Sequence, residues 1–147
     1  MKGKVLAVCR SEEKGVKKSN VGEGFFKKDH GLAGDAHSGS WHRQVSLLGI
    51  ESINKMRAKG VDVNPGDFAE NLTVEGIDLF HLPVGTRLRV GGKVLLEVTQ
   101  IGKECHQGCA IRVQVGDCVM PREGIFARVL EEGWVRTGDT IEVIQNV

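Results

Sequence analysis

The chain has 147 residues and a mass of 16.0 kDa, a length suited to one domain (1–147) that buries a core without disulfide or metal staples. Lys and Arg number 20 against 19 Asp and Glu, so a formal net charge of +1 excludes electrostatically driven binding to nucleic acid or anionic lipid. With 40% apolar and 27% charged residues and no apolar run near the roughly 20 residues of a membrane-spanning helix, the sequence predicts a soluble cytoplasmic protein with no membrane contact.

Lys4 to Cys9 reads as a first strand, mostly apolar and bounded by charge; its apolar run Val5 to Val8 is too short for a signal-peptide core. Cys9 within it reads as a buried structural thiol. Ser11 to Lys18 reads as a hydrophilic loop whose basic residues are solvated. Lys28 to Arg43 is rich in Gly and Ser and carries His30, His37 and His42. Gly31, Gly34 and Gly39 free its backbone for tight turns and close approach to a ligand. A loop of this length inside a compact domain is more often functional than not, and a plain surface loop with solvated histidines carries equal weight.

Gln44 to Leu48 is a short strand, after which the period changes. Ile50, Ile53 and Met56, with Leu47 before them, form one apolar stripe, so Gly49 to Lys59 is predicted as a helix that Gly60 terminates. Asn64-Pro-Gly-Asp67 is a turn, followed by a strand through Phe68 to Val74 and a second turn at Glu75-Gly76. Thr86 to Val90 alternates with Leu88 opposite Arg87 and Arg89, and Gly91-Gly92 connects it to Lys93 to Ile101 as a hairpin. Ile125 to Leu130 and Thr140 to Ile144 complete the strands. Many short strands, 20 glycines and one clear helix predict a mainly β protein, a barrel or sandwich.

The chemistry concentrates in Gly102-Lys-Glu-Cys-His-Gln-Gly-Cys109, with Cys118 nearby. One reading makes Cys105 a reactive thiolate, stabilised by Lys103 and His106, that carries sulfur as a persulfide or ligates a soft metal. A second has Cys105, Cys109 and Cys118, with His106, bind zinc, although the spacing lacks the paired knuckles of a structural site. A third leaves Cys109 and Cys118 as small buried residues. Arg43, Arg112 and Arg122 gain meaning beside Cys105 only if the ligand bears phosphate, which guanidinium groups match bidentately.

Gly31-Leu-Ala-Gly-Asp-Ala-His37, Arg43-Gln-Val-Ser-Leu-Leu48, Gly66-Asp-Phe-Ala-Glu-Asn-Leu-Thr73, Leu82-Pro-Val-Gly85 and Met120-Pro-Arg-Glu-Gly-Ile-Phe-Ala-Arg-Val-Leu130 together resemble the MOSC domain, named for molybdenum cofactor sulfurase C-termini. The resemblance spans Lys2 to Val143. It implies a β-barrel with one clear helix and a few short helical turns, associated with the molybdenum cofactor (molybdopterin) or a related anionic molecule. It maps the family's reactive cysteine onto Cys105, with Cys109 beside it as a second metal-binding thiol. Lys103 and His106 would tune that thiol. His37, His42 and Arg43 would line the mouth of the site, with Asn71, Arg112 and Arg122 as further cofactor contacts. Pyridoxal phosphate has no place in this chain and would belong to a partner, a cysteine desulfurase or a molybdopterin-biosynthesis protein. Relatives also include molybdenum-dependent reductases of N-hydroxylated compounds, and a non-catalytic binding module is a further alternative. Two departures from the family pattern stand out. Ala36 occupies a position where a basic residue is common, and the Cys-His-x-x-Cys run is richer in thiols than in larger relatives.

Overall fold

The computed structural model describes residues 1–14, 16–102 and 120–145. Lys103, Cys105, His106, Cys109, Arg112 and Cys118 therefore lie outside the described residues. The first strand, β1 (Lys2–Arg10), carries the apolar run predicted for it. Its Val5, Ala7, Val8 and Cys9 are fully buried while Lys2, Lys4 and Arg10 face solvent. Two short strands, β2 (Ser19–Asn20) and β4 (Gly31–Leu32), flank β3 (Glu23–Lys27) in sequence. Then come β5 (Val45–Gly49), helix α1 (Ile50–Ala58) and β6 (Leu72–Glu75), followed by a 3-10 turn at Leu79–His81. The hairpin β7 (Arg87–Val90) and β8 (Val94–Ile101) precedes a single helical turn α2 (Met120–Glu123). The remaining strands are β9 (Ile125–Glu131), β10 (Gly133–Arg136) and β11 (Thr140–Gln145).

The main sheet runs β11-β7-β8-β9-β5-β6-β1 and closes on itself because β1 also pairs with β11, through Lys2↔Glu142, Gly3↔Ile141 and Lys4↔Thr140. Closure removes the free strand edges that an open sheet would have to protect. Every pairing in this barrel is antiparallel except β5 with β6. Parallel neighbours cannot be joined by a hairpin and need a crossover. That is why α1, the one substantial helix among the described residues, falls between those two strands.

Alternation along the strands divides the apolar residues between two cores. Val45, Leu47, Leu72, Val74, Leu88, Leu96, Val98, Ile125 and Ala127 point into the barrel. Leu48 and Phe126, the next residues along β5 and β9, point outwards and pack under α1 against Ile53, Met56, Val61, Val63 and Phe68. The predicted helical stripe is thus core, and Leu88 is buried between partly exposed Arg87 and Arg89 as the alternation predicts. Among the described residues no helix is long and apolar enough to cross a membrane.

Two sequence expectations need correction. The strand predicted from Phe68 begins only at Leu72, because residues 65–68 form a turn with Gly66 at φ +93°, followed by Ala69 at φ +64°. Conversely, β3 and β10 form a small sheet with β4 that the sequence did not announce. Its anchor is a cross-strand pair, Phe25 opposite Trp134, with the rings edge to face at 5.7 Å. Such a pair joins residues more than a hundred positions apart and leaves no local periodicity.

The interior barrel contacts make Leu96, fully buried on β8, a clean probe of the fold. Leu96→Ala should lower unfolding stability by about 2–5 kcal/mol, the range for a buried leucine that leaves a cavity. A shift of the urea midpoint at unchanged slope will check it.

Candidate functional site

The corner of the barrel where β8 ends is organised by the side chain of Gln100. Its Oε1 accepts from Arg43 Nε at 3.1 Å and lies 2.9 Å from His42 Nε2, while its Nε2 donates to the Gly102 carbonyl at 2.8 Å. The donation to Gly102 fixes which end of the amide is oxygen. An amide oxygen accepts only, so His42 must carry its proton on Nε2. The Thr99 hydroxyl donates to the His42 carbonyl, and the Gly102 N–H donates to Gly124 at 2.6 Å. The last described residue before the cysteine segment is therefore tied to the chain just after it. Here α2 is held by Glu123, a buried carboxylate that accepts from Ser52 Oγ at 2.6 Å and from Lys55 Nζ at 2.9 Å.

Arg43 lies with its guanidinium carbon 5.3 Å from the centre of the Phe126 ring, and among the described residues it has no carboxylate partner. The nearby acid Glu97 is taken by Arg128 at 2.8 Å and Arg87 at 3.4 Å. Next to this corner is a cleft of about 450 Å³ whose walls include Ser40, Trp41, His42, Val84 and Thr99. Trp41 is 40% exposed there.

His37 is not among the residues lining that cleft; it is half-buried beside a second constellation built on a buried ion pair. Lys18 Nζ lies 2.8 Å from Asp35 Oδ1 and 3.0 Å from His37 Nδ1, and the Lys18 and Asp35 side chains are both 0% exposed. Asp35 also accepts from the Ser11 N–H at 3.1 Å and the His37 N–H at 3.2 Å. Burial alone would raise its carboxyl. The hydrogen bond from Lys18, the Ser11 amide, the Lys18 charge and the Asn71 amide outweigh that and hold it below its ordinary value. The expectation that the basic residues of the first loop are solvated is thus corrected at Lys18. Its burial depends on glycine at 66: a Cβ there would lie 2.1 Å from the Lys18 carbonyl, and the Lys18 N–H donates to the Gly66 carbonyl at 2.9 Å.

Asn71, a predicted cofactor contact, sits in the wall and is only 1% exposed. Its Oδ1 accepts from Ser46 N and its Nδ2 donates to the Cys9 carbonyl at 3.1 Å, so its amide is engaged in joining β1, β5 and β6. Arg122 is exposed on α2. The structure therefore brings His42 and Arg43 together and sets His37 and Asn71 in a separate buried network with Lys18 and Asp35. Gln100, Lys18 and Asp35 were not selected from sequence. Gln100 and Lys18 are common polar residues without a motif, Asp35 stood inside the Gly31–His37 motif without a role, and only the fold reveals their partners. Among the described residues no group of three or more His, Cys, Asp and Glu is placed to hold a metal ion.

Behind Lys18, Cys9 is fully buried as predicted, and burial, with the charge of Glu70, pushes its thiol up to about 12. Glu70 is itself fully buried, accepting from Thr73 Oγ1 at 2.7 Å through Oε2 while Oε1 has no hydrogen-bond partner among the described residues. Burial raises its carboxyl above the usual range despite the hydrogen bonds from Thr73 and backbone amides. A raised carboxyl contributes stability that is complete below its unfolded value and is lost as pH climbs through the folded one. Glu70→Gln should therefore gain on the wild type as pH rises, read as a difference in urea midpoint that moves in the variant's favour; parallel profiles would contradict a raised carboxyl. In native protein, Cys9 should also resist a thiol reagent that labels it on unfolding.

The MOSC domain family model matches residues 34–142, most of the chain. Comparison with curated proteins gives no match. Among solved structures, the YuaD protein of Bacillus subtilis superposes with a TM-score of 0.81 at 24% identity, covering 99% of this chain and 98% of its own. YiiM from Escherichia coli gives 0.69 at 21% identity, covering 100% of this chain and 71% of its own. YiiM from Geobacillus stearothermophilus gives 0.65 at 18% identity, covering 97% and 73%. These likenesses carry the fold, and the family model carries the membership: a closed barrel with one crossover helix, matched over residues 34–142, makes this chain a member of the MOSC domain family.

Proposed function

We propose that the chain serves molybdenum cofactor metabolism, taking the cofactor or a related anion at the Gln100 corner and using the Cys105 thiolate as its reactive group. The supporting observation is the shared acceptor Gln100 Oε1, which holds His42 and Arg43 side by side next to Gly102. Cys105 follows Gly102 by three residues, a span the chain covers in about 11 Å at most. A guanidinium with no carboxylate partner among the described residues, beside an imidazole Nε2–H, suits a phosphate or an oxoanion. Trp41 on the cleft wall offers a planar ring an apolar face. The donors therefore fit both the phosphate and the ring of a molybdopterin, and the bound cofactor would supply redox-active molybdenum.

In this reading Arg43 and His42 orient the anionic end, and Trp41 keeps water from the ring. Lys103 and His106 favour the Cys105 thiolate electrostatically. Arg112 and Arg122 add positive charge for the phosphate, and Cys109 is a second soft ligand for the metal. As a sulfur carrier, the Cys105 thiolate attacks the outer sulfur of a persulfide on a desulfurase. The donor's S–S bond breaks, its electron pair stays on the donor cysteine as thiolate, and Cys105 becomes the persulfide. Pyridoxal phosphate belongs to that desulfurase. The whole chain, 1–147, acts as one unit in the cytoplasm.

Incubation with a cysteine desulfurase and cysteine should add one sulfur atom by intact mass, and Cys105→Ser should abolish it. An adduct that persists in the variant removes Cys105 as acceptor. Arg43→Ala should weaken binding of molybdate roughly 10- to 100-fold, the worth of one charge-assisted hydrogen bond.

A further inference from the structure

We propose that Asp29 determines the specificity of the cleft beside the Gln100 corner, its carboxylate accepting two N–H donors from the amidine edge of a planar heterocycle that lies against Trp41. This names the ring end of the ligand whose anionic end was placed at Arg43, and it rests on that reading. Asp29, Ser40 and Trp41 all line the cleft of about 450 Å³. Asp29 Oδ1 accepts from Gln44 Nε2 at 2.9 Å, and Oδ2 has only a long contact to Ser40 Oγ at 3.5 Å. A carboxylate has about four acceptor positions, so both oxygens keep capacity for a ligand. Among the described residues Asp29 forms no ion pair, whereas the other two charged side chains lining the cleft, Glu97 and Arg128, face one another at 2.8 Å.

The carboxylate is held before any ligand arrives. The Asp29 N–H donates to the Val129 carbonyl at 3.0 Å, and the Val129 N–H donates to Gln44 Oε1 at 2.9 Å. That second bond fixes which end of the buried Gln44 amide is oxygen, so its Nε2 hydrogens are the ones that meet Asp29. Asp29 is thus tied to β9 through both backbone and side chain. The other polar groups of the cleft have the same sense. The Thr99 hydroxyl spends its hydrogen on the His42 carbonyl and the Ser40 hydroxyl spends its own on Asp29, so each has only lone pairs left to offer. Arg128 directs Nε and Nη2 to Glu97. The cleft therefore presents acceptors, the complement of the donors at His42 and Arg43. Trp41 and Val84, both exposed, give it apolar surface for a flat face. A ligand that matches both halves joins an anionic group to a ring whose adjacent N–H and amino groups form a donor pair, as in a 2-amino-4-oxo pteridine or purine.

Pterin-6-carboxylate and lumazine-6-carboxylate differ at C2, an amino group against an oxygen, and both fluoresce, so fluorescence titration reads the edge directly. The wild type should favour the pterin by at least about tenfold, because the lumazine faces a carboxylate with a second acceptor. Equal affinities overturn the proposal without need of any variant. Asp29→Asn, a change at an exposed position, should bring the two affinities within about threefold, and a preference that survives it removes Asp29 as the reader. Trp41→Ala should weaken both roughly tenfold, and no loss overturns the ring's place against Trp41. Guanosine and inosine monophosphates, with and without the amino group, are titrated alongside; the more tightly bound pair whose preference Asp29→Asn abolishes identifies the ring as pteridine or purine. Methylguanidine has the donor edge without a ring, and competition as strong as the pterin's would make the cleft a cation site and overturn the proposal. Molybdate titration of the wild type and Arg43→Ala separates the two ends of the ligand. A ring preference lost in Asp29→Asn, with molybdate indifferent to Arg43→Ala, refutes the anion-binding reading and leaves Asp29 standing. Molybdate binding that depends on Arg43, with no ring preference, refutes Asp29 and leaves the anion-binding reading standing.

Discussion

The buried ion pair between Lys18 and Asp35 is the constraint on which the loop side of the molecule depends. Both side chains have lost all contact with water, and two charges recover that desolvation only when geometry and further hydrogen bonds are good. The surroundings supply them. Ser11 from the end of β1 and His37 from the loop itself donate to the Asp35 carboxylate, and Asn71 from the start of β6 adds its amide. Gly66 presses the 64–69 turn onto the Lys18 backbone at a distance no side chain would permit. Four separated stretches of sequence therefore meet at one charge pair. Removing either partner alone would leave the other buried and unpaired, at about 3–5 kcal/mol. An apolar pair of similar volume could fill the space, but it would not orient His37.

Two buried carboxylates a short way apart are driven in opposite directions by their neighbours. Asp35, facing an ammonium and several N–H donors, is held below its ordinary value; Glu70, with one oxygen unpartnered, is raised. The consequences for stability have opposite sign. The Asp35 contribution is present above the unfolded carboxyl value and is lost as acid brings the pH down through the folded one, whereas the Glu70 contribution is lost as the pH rises through its own. Together they bracket the fold from both sides and leave its best range between the two. Burial alone accounts for neither: both residues are buried, and the difference lies in which partners face the oxygens.

How much of this was legible in the sequence depended on whether the cause was local. The barrel strands read correctly where apolar residues alternate, as in β7, and α1 declared itself through Ile50, Ile53 and Met56. The β3–β10 pair left no trace because Phe25 and Trp134 find each other only through the closed barrel. Lys17 and Lys18 are adjacent and identical in type, yet one is exposed and the other buried. The difference is made by Asp35 and Gly66, neither of which is near in sequence. The candidate site divides in the same way. His42 and Arg43 were picked from a loop composition and do meet, but the atom that joins them belongs to Gln100, on a strand where glutamine carries no signal. Asn71 was selected within a motif, and the structure spends its amide inside the wall.

The loop from Lys28 to Arg43 invites a reading as a mobile lid, since glycine and serine dominate it. Its contacts argue otherwise. Near its middle Lys18 grips Asp35 and His37; at its C-terminal end Gln100 grips His42 and Arg43. Between them Gly39 donates to the His30 carbonyl at 2.7 Å, and Trp41 reaches back to His37. Gly31 is needed because a Cβ there would sit 2.4 Å from the Gln44 carbonyl, so its small size permits close packing where flexibility would be the casual inference. A loop fastened at its middle by a buried ion pair and at its end by a barrel strand pays most of its ordering entropy on folding rather than on binding. The glycines thus serve preorganisation. The same anchoring sets His42 and Arg43 beside Gly102 at a separation that the barrel determines before any ligand binds.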